Sequence, residues 1–403
     1  MLTALEIAAG FPLPLRRRPE RLPASAADPV TAFAESIFPA LERPPCIVSF
    51  SGGRDSSLVL AVAVDLARRE GLPLPVPVTV RFTADPASSE DEWQQSVISH
   101  LGLDDWVRVD VADDLDCIGP AARRILLRHG ILWPANVHFH VPQLERARGG
   151  SVVTGVGGDE VFSLSGWERI HRVLGRKARP EPKDLLRLGA ALAPLPLRRR
   201  ITIARNEVAL DWLTPDAQRT VIAALAEEAA AEPVRWRRRF DWLTSLRYLE
   251  IGQRSLDLVA RDWDVQMNHP FLAPAFVAAL ASLPGERRFA GRTEALAALF
   301  AGVLPPGLES RSSKAVFADA LWGSASRAFA SGWDGSGVDA ALVDVDALRR
   351  RWQADRTPGP HTLLQSLWLA QASPSVPSSS SSTPGIADQE RGRRSSQAGS
   401  ALS

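Results

Sequence analysis

A loop of glycines and hydroxyl side chains at Ser51–Ser57 has the composition of a phosphate-binding site. Its residues read Ser-Gly-Gly-Arg-Asp-Ser-Ser and follow a short apolar run. Glycines let a backbone approach an anion closely, and the amide groups that open a helix carry positive partial charge. Asp55 does not fit this pattern by itself, because a carboxylate repels bare phosphates. A Mg²⁺ ion between Asp55 and a polyphosphate accounts for both features.

A second glycine-rich loop, Thr154–Phe162, also carries an acidic residue. It reads Thr-Gly-Val-Gly-Gly-Asp-Glu-Val-Phe, and Asp159 follows the last glycine. The two loops together suggest that Asp55 and Asp159 hold one Mg²⁺ from two sides. Each loop on its own is also compatible with an ordinary turn in which the acidic residue caps a helix.

The elements around these loops alternate between strand and helix patterns. The predicted strands are Ile47–Phe50, Val76–Phe82, Trp106–Val111 and Ser151–Val156. The predicted helices are Asp55–Glu70, a helix opened by Ser89, Pro120–His129 and Pro142–Ala147. This alternation predicts an α/β fold with a parallel sheet and helices on both faces. Because ligands bind at the carboxyl ends of such strands, both glycine loops should lie at one edge of the sheet.

The second half of the chain is predicted to be helical. From about residue 165 to 372 no strand pattern is present, and the predicted helices are Ala217–Ala231, Phe240–Val259, Phe276–Leu283 and Thr293–Val303. We therefore predict one domain over 44–372, whose α/β part ends near residue 165. An N-terminal extension, 1–43, carries a short helix at Pro29–Leu41. The Ser- and Pro-rich tail, 373–403, is expected to be disordered.

The Ser51–Ser57 loop lacks the glycine spacing and the Gly-Lys-Ser/Thr ending of a Walker A loop. It resembles instead the Ser-Gly-Gly-x-Asp-Ser loop of the N-type ATP pyrophosphatases, which cut ATP between its α and β phosphates. Residues Gly155–Glu160 match a later Gly-x-Gly-x-Asp-Glu loop. With both loops, residues 44–372 resemble the synthetase domain of the asparagine synthetase family, which implies an adenine nucleotide α-hydrolase-like fold.

The resemblance implies ATP and Mg²⁺ as ligands and assigns residues to them. Asp55 and Asp159 would bind Mg²⁺. The end of the second strand, Arg81-Phe82, would lie near the adenine. The other implied nucleotide-binding residues are Ser51, Gly52, Gly53, Ser56, Gly155, Gly157 and Gly158.

A third set of matches follows in the helical half. His269-Pro270-Phe271-Leu272 resembles the family's Pro-Phe-Leu-Asp segment, and Gly291-Arg292 stands where the family often has Gly-Lys. Leu304-Pro305, Arg311 and Lys314–Phe317 resemble its Leu-Pro, Arg and Lys-x-x-Phe ending. The implied catalytic cations, which would neutralise charge on the phosphates, are Lys314, Arg292 and Arg311. Taken singly, each is also compatible with an ordinary surface charge.

Several positions depart from the family pattern on the substrate side. Val156 replaces an acidic residue of the second loop. The family's Glu-x-Arg-x-Pro-Phe-Leu-Asp segment reads Gln266–Ala273 here, without its two acids and its arginine. Recognition of aspartate is therefore not supported. Candidates for the missing base, each also compatible with a structural role, are His138, His140 and His269.

These features predict an AMP-forming amide ligase that adenylates a carboxylate and passes the acyl group to an amine. Position 2 is Leu2 and not the cysteine nucleophile of a glutaminase domain, so the amine is expected to be ammonia, to come from a partner or to belong to the substrate. In these departures the chain resembles divergent members of the family that close amides within larger substrates, namely lasso-peptide cyclases and β-lactam synthetases. The alternatives are asparagine synthesis from ammonia or a partner glutaminase, peptide macrocyclisation of lasso-cyclase type, and a nucleotide-binding scaffold that has lost catalysis.

Composition narrows the range of partners. The 403 residues carry a formal net charge of +1, so no nucleic-acid partner is expected. Two cysteines form neither a disulfide framework nor a metal-ligand set. No apolar run approaches the ~20 residues of a membrane helix, and no secretory signal is present, so we expect a cytoplasmic protein without a membrane partner. The expected partners are a small-molecule or peptide carboxylate and an amine, with a precursor peptide or partner protein as a further candidate.

Overall fold

A parallel sheet lies behind both glycine loops in the computed structural model. The structure describes residues 1–15, 21–83, 91–162, 167–176, 178–205, 208–284, 289, 291–304, 307–308, 321–354 and 359–372. Its strands are β1 (Cys46–Ser49), β2 (Val76–Phe82), β3 (Val107–Val111), β4 (Ser151–Val153) and β5 (Gln266–Asn268). Ser89, Arg311, Lys314 and the tail 373–403 lie outside the described residues.

The order of the strands across the sheet is β3-β2-β1-β4-β5, and every neighbouring pair is parallel. The chain runs outward from β1 to β3 on one side and then returns to β4 on the other. Such a reversal opens a crevice at the carboxyl ends of the two central strands. Because Ser51–Ser57 follows β1 and Thr154–Phe162 follows β4, both loops lie at this crevice.

Helices cover the sheet and form most of the second half. In chain order they are α1 (Ala4–Ala9), α2 (Pro29–Leu41), α3 (Arg54–Glu70), α4 (Asp91–Leu101), α5 (Pro120–His129), α6 (Val141–Arg146), α7 (Gly158–Phe162), α8 (Glu168–Leu174), α9 (Pro182–Leu192), α10 (Leu195–Ala204), α11 (Pro215–Ala231), α12 (Trp236–Leu243), α13 (Arg247–Ala260), α14 (Pro274–Ala281), α15 (Arg292–Phe300), α16 (Ser324–Gly332), α17 (Val345–Gln353) and α18 (His361–Ala372). Short 3-10 helices cover Val137–His140, Arg261–Trp263 and Pro270–Leu272.

Both faces of the sheet are buried. Val48 and Val153 pack with α2, α3 and α4 on one face. Ile47 and Val152 pack with α5, α6 and α13 on the other face. Successive strand residues point to opposite faces, so these short apolar strands supply two cores at once. The predicted α/β fold with helices on both faces is confirmed.

Two predicted elements of the second half are corrected by the structure. The expectation of no strand after residue 165 is wrong, because β5 pairs with β4 at the edge of the sheet. Its three residues are polar and give no apolar alternation that could mark a strand. The single helix predicted over Phe240–Val259 is two helices, α12 and α13, separated by Thr244–Leu246. The apolar periodicity continues across this short break and hides it.

A cluster of phenylalanines packs together the segments that carry the family-like motifs. Phe33 of α2 is fully buried, and its ring centroid lies 4.9 Å from both Phe271 and Phe276 and 5.4 Å from Phe300. Phe162, at the end of the second loop, lies 5.8 Å from Phe271. The cluster therefore fixes the second loop, the segment after β5 and helix α15 against one another.

Phe33→Ala should destabilise the fold by about 3–5 kcal/mol, because it removes the ring at the centre of this cluster and leaves a cavity. Chemical denaturation monitored by circular dichroism measures the change in the free energy of unfolding. Leu127→Ala is the matched control, since Leu127 is 58% exposed and its truncation should change stability by less than about 0.5 kcal/mol. Equal effects of the two substitutions would contradict the role of the cluster.

Candidate functional site

The first loop is held in one conformation by its own hydroxyl groups. Ser56 Oγ accepts a hydrogen bond from the Ser51 amide at 3.2 Å and donates one to the Gly53 carbonyl at 3.1 Å. The Ser51 and Ser56 hydroxyls also lie 3.1 Å apart. Gly53 caps the start of α3 without a side chain, so the amides at this helix end are not covered by a capping side chain. This arrangement fits a pre-formed cradle for an anion.

Helix α4 supports the first loop from outside the motif. Gln94 is buried, and its Nε2 donates a hydrogen bond to the Ser51 carbonyl at 2.9 Å. Gly52 has a φ of +82°, and a Cβ there would lie 2.6 Å from Gln94 Cγ. Both the left-handed backbone and the close approach of Gln94 therefore require glycine at this position.

The second loop packs directly on the first. A Cβ at Gly155 would lie 3.1 Å from Asp55 Cβ, and a Cβ at Gly158 would overlap the Asp55 carboxylate. Gly157, with a φ of +95°, has no room for a side chain because Leu272 lies against it. The glycines of this loop thus allow three segments, which follow β1, β4 and β5, to meet in van der Waals contact.

Asp55 and Asp159 share one cation, the guanidinium of Arg292. Arg292 opens helix α15 and forms ion pairs with both carboxylates. The side chains of Arg292 and Asp55 are 14% and 16% exposed, whereas that of Asp159 is 46% exposed. Burial raises the pKa of Asp55 to about 6, against the opposing influence of Arg292, and Asp159 raises it further. The two carboxylates therefore need a cation between them to stay charged together.

The residues fit a Mg²⁺ ion carried by a polyphosphate. Asp55 Oδ1 is buried and has no hydrogen-bond partner among the described residues. Within the same residues, no group of three or more histidine, cysteine or acidic side chains forms a complete metal cage. Mg²⁺ commonly takes one or two carboxylates and fills its remaining positions with water and phosphate oxygens. Asp55 and Asp159 would be these two carboxylates, at the position where Arg292 now lies.

A buried arginine that the motifs do not indicate anchors the second loop. Arg239 of α12 is 2% exposed, and it donates hydrogen bonds to the carbonyls of Glu160 at 2.8 Å and Val161 at 3.3 Å. Glu232 lies 3.5 Å from its Nε and balances its charge. In the sequence Arg239 ends a basic run that looks solvent-exposed, and only Phe240 beside it suggests burial. Arg239 holds the backbone immediately after Asp159.

The two residues expected near the adenine lie at the end of β2. Arg81 forms a bidentate ion pair with Asp110 of β3, at 2.6 and 2.8 Å, and Phe82 is 8% exposed with its ring 5.2 Å from that of Phe139. Both residues take part in packing or pairing within the protein. Their contact with a nucleotide stays a prediction, as do the roles of the catalytic cations Arg311 and Lys314 outside the described residues.

The three candidate bases differ in their surroundings. His138 is buried, and its ring is hydrogen-bonded to backbone carbonyls, including Leu115 O at 2.9 Å, so its role is structural. His269 follows β5, and its Nδ1 lies 2.7 Å from Thr154 Oγ1. Burial lowers the pKa of His138, His140 and His269 to about 4. All three are therefore neutral at pH 7.

Two glycine- and acid-bearing loops thus meet at the carboxyl ends of the central strands of a parallel α/β sheet. The family model for asparagine synthase matches residues 40–375, and the chain belongs to this family. This membership places it among ATP-dependent amide ligases at the level of the family. No curated protein matches the chain significantly. None of the described helices combines the length and hydropathy needed to cross a membrane.

Gly158→Ala should displace the Asp55 carboxylate and disrupt its pairing with Arg292, at a cost of about 1–3 kcal/mol for an overpacked site. Thermal unfolding with and without Mg·ATP measures both stability and ligand protection. We expect a lower melting temperature and no increase on addition of Mg·ATP. Gly302→Ala is the control, because no described residue beyond its two chain neighbours has an atom within 4 Å of its Cβ position. If both variants behaved as the unmodified protein does, the close packing of the loops would not matter for binding.

Arg292→Gln should leave Asp55 and Asp159 facing each other without a cation. The expected loss is about 1–2 kcal/mol in the free energy of unfolding, less than for a fully buried pair because Asp159 is half exposed. Mg²⁺ should restore the lost stability by taking the place of the guanidinium. Its effect on the melting temperature should therefore be larger in this variant than in the unmodified protein.

The control for this experiment is Arg219→Gln, which removes a solvent-exposed ion pair with Asp216. It should change neither stability nor the response to Mg²⁺. Equal Mg²⁺ responses in the Arg292→Gln and Arg219→Gln proteins would show that the two carboxylates do not share a cation site.

Proposed function

We propose that the chain is an AMP-forming amide ligase, which activates a carboxylate with ATP and joins the acyl group to an amine. The observation that supports this most strongly is the meeting of Asp55 and Asp159, from loops after neighbouring strands, at one cation. Two carboxylates at the edge of a sheet, beside an anion-binding helix start, suit a metal-bound polyphosphate.

The first loop would bind the leaving pyrophosphate. The amides at the start of α3 and the hydroxyls of Ser51 and Ser56 provide hydrogen-bond donors around the small residues Gly52 and Gly53. Bound Mg²⁺ would neutralise phosphate charge, with Asp55 and Asp159 as its protein ligands. Arg292 would then leave the two carboxylates and pair with a phosphate oxygen.

The proposed reaction has two steps. In the first, a carboxylate oxygen of the substrate attacks the α-phosphorus of ATP, the bond to the β-phosphate oxygen breaks, and pyrophosphate leaves. In the second, an amine attacks the acyl carbon, the carbon–oxygen bond to the phosphate breaks, and the amine loses a proton. AMP therefore leaves with one oxygen atom of the original carboxylate. Lys314 and Arg311 would stabilise the negative charge in the first step.

A carboxylate within a larger substrate is favoured over free aspartate. Asn268 stands where the family has arginine, and its Nδ2 donates a hydrogen bond at 2.7 Å to the Ser36 carbonyl of α2. Asn268 thus stabilises the fold at a position where the family pattern has a positively charged arginine. Gln266, in place of glutamate, is exposed on the edge strand. Closure of an amide within a peptide, as in lasso-peptide cyclases, fits this loss of charged groups.

Oxygen transfer tests the proposed first step directly. The protein is incubated with Mg·ATP and a candidate substrate peptide that bears an amine and an ¹⁸O-labelled carboxylate. Mass spectrometry should find AMP, one ¹⁸O atom in its phosphate and an amide in the peptide. Formation of ADP in place of AMP would contradict adenylation. Growth of an asparagine auxotroph carrying this chain would instead favour asparagine synthesis.

Asp55→Asn and Asp159→Asn should each lower the rate of AMP formation by about 10²–10³-fold, the typical effect of removing one charge-stabilising group. Radiolabelled ATP and thin-layer chromatography measure the rate. Asp65→Asn, on the same helix as Asp55, removes an exposed carboxylate paired with Arg69 and should leave the rate unchanged. An unchanged rate of AMP formation in the Asp55→Asn variant would refute the proposal.

A further inference from the structure

Two histidine nitrogens beside the second loop lack hydrogen-bond partners. His140 Nδ1 and His269 Nε2 are shielded from solvent, and neither has a partner among the described residues. His269 directly follows β5, and Leu272, three residues further on, lies against Gly157 of the second loop. His140 lies close enough to depress the pKa of His269. An unpaired buried polar group is unfavourable in a folded protein, so such a pair is a candidate site for a ligand.

The contact between Thr154 and His269 is compatible with a proton on His269 Nε2. Thr154 Oγ1 accepts a hydrogen bond from the Val156 amide at 3.3 Å and lies 2.7 Å from His269 Nδ1. When the Thr154 hydroxyl donates to His269 Nδ1, the imidazole carries its own proton at Nε2. In this tautomer the unpaired atom of His269 is an N–H donor.

The charge state of the pair fits donation and not proton abstraction. Burial lowers the pKa of both His140 and His269 to about 4, so both rings are neutral at pH 7 and weak as bases. A neutral N–H donor can bind an oxygen that carries partial negative charge without adding a positive charge to the site. The general-base role considered for these two residues is therefore less suitable than hydrogen-bond donation.

We propose that His269 Nε2–H, with His140 beside it, binds the acyl oxygen of the carboxylate substrate. This subsite rests on the proposed amide-ligase function and adds to it the group that recognises the acyl end. Thr154 is then a positioning residue, because it fixes the ring through Nδ1. Since both nitrogens are covered in this structure, as Asp55 Oδ1 is, the covering side chains must shift when the substrate enters.

Two adenosine compounds separate the acyl subsite from the nucleotide site. 5′-O-(N-acetylsulfamoyl)adenosine is a stable mimic of an acyl-adenylate, and 5′-O-sulfamoyladenosine lacks the acyl group. Calorimetric titration of the full chain with each compound gives a ratio of dissociation constants. This ratio reports the contribution of the acetyl group, while binding of the second compound alone reports a folded nucleotide site.

Two substitutions at one position distinguish the ring nitrogens. His269→Asn keeps an acceptor near Nδ1 for Thr154 and removes the group at Nε2. His269→Gln places an amide N–H near the Nε2 position. In His269→Asn, the preference for the acetylated compound over 5′-O-sulfamoyladenosine should fall about tenfold, the effect of one lost hydrogen bond. In His269→Gln, this preference should stay within about threefold of that of the unmodified protein.

The possible outcomes separate this inference from the proposed function. An unchanged ratio in His269→Asn, with both compounds still bound, would overturn the acyl subsite and leave the ligase proposal standing. Failure of both compounds to bind the unmodified protein would overturn both. Equal losses in His269→Asn and His269→Gln, with 5′-O-sulfamoyladenosine binding retained, would show that the ring shape and not the N–H donor is required.

Discussion

Two carboxylates held against each other need a cation, and the structure around the crevice is organised by this requirement. Asp55 is largely buried, Asp159 is close to it, and Arg292 pairs with both. Their approach is possible only because Gly155 and Gly158 leave the space that Asp55 occupies. Arg239 holds the backbone after Asp159, and the phenylalanine cluster fixes the helix that carries Arg292. We propose that these two carboxylates exchange Arg292 for a metal ion when a polyphosphate binds.

The α/β fold follows from the sequence because short apolar strands alternate with amphipathic helices over long distances. β2 and α5 are predicted to the residue, and both glycine loops are predicted at strand ends. β5 could not be predicted, since its three polar residues gain their strand conformation only by pairing with β4. The break between α12 and α13 is hidden because the apolar periodicity continues across Thr244–Leu246. Sequence patterns report local preference, whereas β5 depends on a contact between distant segments.

The candidate site shows the same division. Asp55, Asp159 and the glycines are recognisable because each has a backbone or charge requirement that few residue types meet. Gln94 and Arg239 are not recognisable, since a glutamine in a helix and an arginine in a basic run are ordinary surface residues until the fold buries them. Among the histidines, spacing alone could not separate His138, bound to backbone carbonyls, from His269, which keeps one ring nitrogen unpaired. The acyl subsite that we propose accordingly uses the neutral donor of His269 and not a charged group.

In the mechanism that we propose, Asp55 and Asp159 bind one metal ion. Electron paramagnetic resonance tests this shared binding most directly by measuring the binding of Mn²⁺ in the presence of ATP. The measurement compares the unmodified protein, Asp55→Asn, Asp159→Asn and the double variant. If both carboxylates bind the same ion, each single substitution weakens Mn²⁺ binding. The double variant then binds Mn²⁺ only slightly more weakly than the weaker-binding of the two single variants. Additive losses, or Mn²⁺ binding that neither substitution changes, would contradict a common metal between the two loops.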